Sequence, residues 1–209
     1  MNVVEPGSRA ESILNRAKDL ILRPVPTWDE IDQEEATIEG LYRSWVLPLA
    51  AVPAVCQALG WLAFRGGIGI FGIRFHVNVL GVLTQAAVSY VLTLVGVFLM
   101  AVVLDELALR FGGERSRTQA FKLAAYSASA AWLGGVFLLL PAPGGLLAAL
   151  AGCYSLYLFY LGLPKLMRSN PDQTLTYFAL SLVVMLGLGL LMGILTSCAG
   201  GWYGPVSIY

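Results

Sequence analysis

The chain has 209 residues, 57% of them hydrophobic and only 12% charged, with a formal net charge of zero. A soluble domain carries about 25% charged residues, and a mean hydropathy of +0.73 points instead to a chain embedded in lipid. Zero net charge gives no sign of a nucleic-acid partner. Long apolar runs without polar alternation argue against a β-barrel.

In chain order, residues 1–9 are expected to be disordered. Residues 10–22 then place Ile13, Leu14, Ala17, Leu20 and Ile21 at helical spacing, with Arg16, Lys18 and Asp19 opposite. Such an amphipathic helix either docks on the bundle or lies in the membrane interface. Pro24 and Pro26 are expected to end it. Thr27-Trp28-Asp29-Glu30 reads as a capping box with Thr27 as N-cap. The helix that follows carries Trp28, Ile31, Ile38 and Leu41 on one side and six carboxylates elsewhere, from Asp29 to Glu39. That acidic face is either solvated or a docking surface for a basic partner. No apolar h-region precedes residue 40, so the first crossing is expected to act as the insertion signal.

Five apolar runs follow, near 45–64, 79–104, 120–140, 145–163 and 172–196. Each is long enough to cross roughly 30 Å of hydrocarbon. Pro48 and Pro53 predict a kink in the first. The segment from Pro141 to Gly145 predicts a hairpin between the third and fourth. Asn170-Pro171 predicts the start of the fifth, with Asn170 as N-cap. Residues 197–209 form a short tail.

Lys and Arg set the expected direction. With the N-terminus in the cytoplasm, eleven of them fall on that side, while only Arg65 and Arg74 fall on the other. This is the positive-inside pattern. The expected fold class is therefore an all-α membrane protein: a five-helix transmembrane bundle preceded by one or two short cytoplasmic or interfacial amphipathic helices. Residues 10–43 form the amphipathic region and 44–196 the membrane domain.

No Asp, Glu, Lys, Arg or His stands at the centre of a run, which argues against a proton-coupled pump. Ionisable groups gather at one surface instead: Asp105, Glu106 and Arg110 close the second crossing, Lys122 opens the third, and Lys165 ends the fourth. Opposite charges at one depth read first as ion pairs pinning helix ends, with a lipid-headgroup or partner site and a gate as alternatives. Tyr154, Tyr157 and Tyr160 share a broad face of the fourth crossing, and Tyr126 lies in the third. Their hydroxyls need partners in lipid, so they act as interhelical glue or line a polar path, with Gln57, Gln85 and Ser89 as further polar candidates. Small residues at four-residue spacing (Ala124 and Ala128; Ser127, Ala131 and Gly135; Ala148 and Gly152; Gly189 and Gly193) predict close helix packing within the chain or between subunits.

Catalytic signatures are missing: there is no HExxH, GxSxG, phosphate loop or CxxC. The cysteines at 56, 153 and 198 are too far apart to read as a disulfide framework or a zinc site. No catalytic residue, cofactor or metal is therefore expected. The expected partners are membrane lipids and a second copy or another membrane protein.

Three blocks carry a family resemblance. One is Thr27-Trp28-Asp29-Glu30-Ile31 with Glu35, Leu41-Tyr42 and Leu47-Pro48-Leu49-Ala50. Another is Phe111-Gly112-Gly113 with Gln119-Ala120-Phe121-Lys122 and Ala125-Tyr126-Ser127. The third runs from Tyr154 through Leu161-Gly162-Leu163-Pro164 to Pro171-Asp172 and Tyr177. In order and spacing they resemble bacterial Yip1-domain proteins over roughly residues 20 to 195. The resemblance implies five crossings, a cytoplasmic N-terminus and an exterior C-terminus, and a place in the bacterial inner membrane. Eukaryotic members of that family are linked to Rab GTPases and vesicle traffic, for which bacteria have no counterpart. It supplies no catalytic residues. The function expected is a non-catalytic membrane scaffold or adaptor; the alternative is a passive transporter, channel or lipid scramblase with a path near the first, second and fourth crossings.

Overall fold

The computed structural model describes residues 6–64, 75–140, 143–201 and 206–208. Two short helices, α1 (Pro6–Leu22) and α2 (Pro24–Gln33), precede the membrane domain. The first crossing is composite: α3 (Ile38–Leu41) widens into a π turn (Tyr42–Val46) and continues as α4 (Leu47–Phe64). Strand β1 (Phe75–Val77) leads into α5 (Val79–Ala108) and a 3₁₀ turn (Leu109–Phe111). The third crossing is α6 (Arg117–Ser127), α7 (Ser129–Gly134) and a 3₁₀ segment (Gly135–Leu139). Helices α8 (Gly144–Met167) and α9 (Pro171–Gly201) complete the bundle, and β2 (Val206–Ile208) follows.

Five helical stretches are long and apolar enough to cross a membrane: Ile38–Ala63, Val79–Phe111, Arg117–Leu139, Gly144–Met167 and Pro171–Cys198. The one strand pair among the described residues is a short antiparallel ladder, with Phe75 opposite Ile208 and Val77 opposite Val206. It joins the α4–α5 connection to the chain's end. Both therefore lie at one end of the bundle, as an odd number of crossings requires. The other end carries α1, α2, the α5–α6 turn and the α8–α9 turn. We call it the charged end, because most of the ionisable residues lie there.

Two expectations for the N-terminal region are corrected. Thr27 is not an N-cap. Helix α2 begins three residues earlier, and Pro24 and Pro26 sit in its first turn, where a missing N–H costs no hydrogen bond. The Thr27 hydroxyl donates instead to the Arg23 carbonyl at 2.8 Å. The helix also stops at Gln33 rather than running on to Leu41. A new cap, Thr37, accepts from the Gly40 N–H at 3.1 Å and starts α3. Residues 6–9, expected to be disordered, are the first turns of α1; residues 1–5 lie outside the described residues, as do Pro141 and Ala142 of the expected hairpin.

The prolines of the first crossing are absorbed locally. Pro48 follows the π turn, whose wider spacing relieves the clash of the ring with the carbonyl four residues back. Pro53 lies inside α4 and meets Gly135 of the third crossing so closely that a Cβ there would stand 2.6 Å from the Pro53 Cα. Asn170 caps α9 as expected, accepting from the Asp172 N–H at 3.2 Å.

The core is lopsided. Its buried members are Ala17 and Leu20 of α1, Trp28 and Ile31 of α2, and Trp45 and Val46 of the π turn. They pack with the charged-end halves of α5, α6 and α8 and with Tyr177 of α9. Helix α1 thus docks on the bundle through Ala17 and Leu20, both at 1% exposure or less. Its Leu14 and Leu22 stay exposed.

Candidate functional site

At the charged end, the residues expected to form one ionic cluster separate into two sites. The first lies under the α5–α6 turn. Asp105 is buried, and its Oδ2 accepts from Arg115 Nε at 3.1 Å, with Arg117 Nε 3.7 Å away. Arg115 also pairs with the exposed Glu106. Below this group the Tyr177 hydroxyl donates to the Leu104 carbonyl at 2.5 Å and its ring stacks on Phe111 at 5.0 Å. Gly112 adopts φ 66°, a left-handed turn that glycine allows without strain and that brings Arg115 back over α5. Arg110 is exposed and has no ion pair among the described residues.

The second site clamps α2. Lys122, only 2% exposed, does not meet Asp105. Its Nζ donates to the Ile31 carbonyl at 2.8 Å and to the Glu34 carbonyl. These are among the last carbonyls of α2, which lack partners inside the helix, and a cation there also opposes the negative end of the helix dipole. Gln119, one turn earlier, donates to the carbonyl and the side chain of Asp32, each at 3.1 Å. Lys165 of α8 reaches the Val25 carbonyl at 2.9 Å and pairs with Asp29. Arg16 of α1 bridges Glu34 at 3.1 Å and Glu30 at 3.4 Å. Between these polar arms Trp28 lies fully buried against Leu123 and Gly162. A Cβ on Gly162 would fall 2.8 Å from the indole, so only glycine lets α2 settle there.

The tyrosines also divide. Tyr154 donates to the Ile21 carbonyl at 2.6 Å, tying α8 to the end of α1. Tyr126 is buried between the rings of Trp28 and Trp45, at 6.4 and 4.8 Å. Tyr157 and Tyr160 are exposed at the bundle's rim. The four therefore line no shared path. Other tyrosines supply the interhelical bonds that sequence reasoning missed: Tyr42 to the Leu94 carbonyl at 2.8 Å, Tyr90 to the Leu47 carbonyl at 3.1 Å, and Tyr177 as above. Their sequence signal was weak, because each stands alone on its helix.

A cavity of about 360 Å³ lies in the middle of the bundle, between α5, α6–α7, α8 and α9. This is not the expected place beside the first, second and fourth crossings. Nor does Asp105 line it. It sits where the third crossing breaks. At Ala128 the helix ladder lapses, and the Ala131 N–H donates instead to Ser155 Oγ of α8 at 2.8 Å. Ser129 Oγ takes the Trp45 indole N–H at 2.9 Å. A side chain from α8 thus replaces a backbone bond at membrane depth, which is how a broken helix is tolerated in lipid.

The small-residue stripes follow the same division. Gly134 and Gly135 of the third crossing meet Ala151 and Pro53 closely. A Cβ on Gly152, Gly189 or Gly193 would meet nothing within 4 Å, so these glycines pack no helix within the chain.

Fold and site together define a polytopic helical membrane protein whose first two helices are built into one end of its bundle. The Yip1 domain family model matches residues 18–194, and the chain belongs to the Yip1 domain family. Among curated proteins it is similar to the "Inner membrane protein YohC" of Escherichia coli strain K12. The two are 28% identical over 156 residues, covering 74% of this chain and 80% of that protein. The protein of the same name from E. coli O6:H1 is similar to the same extent. No solved structure matches.

Proposed function

We propose that the chain is a non-catalytic scaffold or adaptor of the bacterial inner membrane, with the charged end and N-terminus in the cytoplasm and the C-terminus outside. The observation that carries this reading is the clamp on α2. Lys122, Gln119, Lys165 and the Trp28–Gly162 contact hold a short acidic helix against the charged end of the bundle. Glu30, Gln33 and Glu35 remain exposed on and just beyond it. A preformed surface binds a partner without first losing loop entropy. The Lys and Arg distribution supports the orientation, and the name of the E. coli relatives supports the membrane.

The test places a photo-crosslinking residue at Gln33 or Glu35 in living bacteria and a reporter fusion at the C-terminus. A discrete crosslinked neighbour, or a second copy, is expected, with a reporter that is active only outside the cytoplasm. A protein that crosslinks to nothing and extracts as a lone monomer would overturn the scaffold reading.

The cavity favours a second reading, passive passage or lipid scrambling. Purified protein in liposomes that gives no flux or scrambling above empty vesicles would remove it.

A further inference from the structure

We propose that the cavity between α5, α6–α7, α8 and α9 is a binding site for an acyl chain of a membrane lipid, entered sideways from the bilayer. This inference does not depend on the scaffold reading. Four observations point to that occupant.

The first is place. Helices α8 and α9 meet through the rings of Phe159, Tyr160 and Phe178, at 5.8 and 5.2 Å, near the charged end. Farther along α9 a Cβ at Gly187, Gly189 or Gly193 would meet nothing within 4 Å. The cavity therefore opens at hydrocarbon depth, where acyl chains are the surrounding medium. The second is size. A volume of about 360 Å³ falls in the range of small-ligand pockets, roughly 300–1,000 Å³.

The third is the absence of charge in the wall: no Asp, Glu, Lys, Arg or His lines it. The fourth is what its hydroxyls do. Ser89, Thr93, Ser127 and Thr196 each donate back to a carbonyl of their own helix, at 2.8 to 3.3 Å. The fifth hydroxyl, Ser155, accepts the freed Ala131 N–H. Self-satisfied hydroxyls offer few donors to an anion, and the wall offers no carboxylate to a cation. An ion entering would lose its hydration without replacement, at a cost of several kcal/mol. An acyl chain loses nothing polar and exchanges dispersion contacts with neighbouring chains for contacts with the wall.

The test uses the full chain in liposomes of phosphatidylethanolamine and phosphatidylglycerol, doped with a phosphatidylglycerol carrying a diazirine in one acyl chain. After illumination, labelled peptides are mapped by mass spectrometry. Label is expected on Trp132, Phe159 and Met192, which line the cavity, above the level on Leu186 and Leu190, which face outward on α9. The double variant G189L/G193L fills the cavity from α9, and Gly96→Leu fills it from α5. Each is expected to lower the Trp132 label about tenfold, the loss given by ~1.4 kcal/mol of binding, while leaving the Leu186 label unchanged. Gly152→Leu, open but away from the cavity, should change neither. The proposal is overturned if label in the unaltered protein stays on Leu186 and Leu190 alone. It is equally overturned if variants that keep the native circular dichroism and melting temperature label Trp132 as before, or if α9 crosslinks to a second copy that covers the opening.

Discussion

The third and fifth crossings stand at opposite ends of the burial range. In the third, 61% of the most apolar stretch is buried and its mean hydropathy is 1.3; in the fifth, only 6% is buried and the hydropathy is 2.5. In a soluble protein the more apolar helix would be the inner one. Here the solvent is itself apolar, so hydropathy marks contact with lipid. The inner helix is recognised by small size and by hydroxyls that bond to neighbours. Phe121 to Ser127 is a continuous buried run containing a lysine, a tyrosine and a serine. Helix α9 is leucine-rich and packs chiefly on α5.

The same contrast separates the two ends of the molecule. The charged end is closed by polar arms that reach across more than eighty residues of sequence. The middle of the bundle holds the cavity, and farther along α9 glycines have open space beside them.

Mutations at the closed end should therefore cost far more than those on α9. The largest effect is expected from Gly162→Leu, which drives a side chain into Trp28 and Leu123. Overpacking of this kind costs about 3 kcal/mol, read as a lower melting temperature in detergent and as protease cleavage before α3. Lys122→Met keeps the apolar stem but leaves two carbonyls at the end of α2 without a donor. A loss of about 2 kcal/mol is expected, seen as cleavage between residues 34 and 37 while the bundle stays folded.

Asp105→Asn removes the charge that holds Arg115. Because Arg115 is 42% exposed and can turn to water, the cost should be about 1 kcal/mol and shrink in salt. Leu190→Ala, on a side chain 69% exposed, should shift stability by no more than about 0.5 kcal/mol. A large effect there would show that α9 is covered by a partner and would break the comparison.

Much of the fold was legible in the sequence. The five crossings fall within a few residues of their expected places at most ends, because an 18-residue apolar run has few alternatives to spanning. The larger differences, at the start of the first crossing and the charged end of the second, come from polar residues continuing a helix beyond the hydrocarbon. Asn170-Pro171 was legible because a helix start is settled by neighbours in sequence. The candidate residues were less so. Asp105, Glu106, Arg110, Lys122 and Lys165 share one end of the bundle, but depth alone does not choose partners. Lys122 turned to the carbonyls of α2, and Arg115, not Arg110, turned to Asp105. The role of Thr27 was misread because two prolines close together, Pro24 and Pro26, suggested a stop. They are equally suited to the first turn of a helix.

By itself the sequence determined what hydrocarbon enforces: helical crossings, their number, their rough ends and the gathering of charge at one end. These follow from the cost of leaving a backbone group or an ion unpaired in lipid. Only the tertiary structure decided which helix lies inside, where Trp28 docks, how the break at Ala128 is repaired by Ser155, and that a cavity remains beside it. Those outcomes depend on contacts between residues far apart in the chain, and on a medium in which apolar character no longer separates the inside of the protein from its surface.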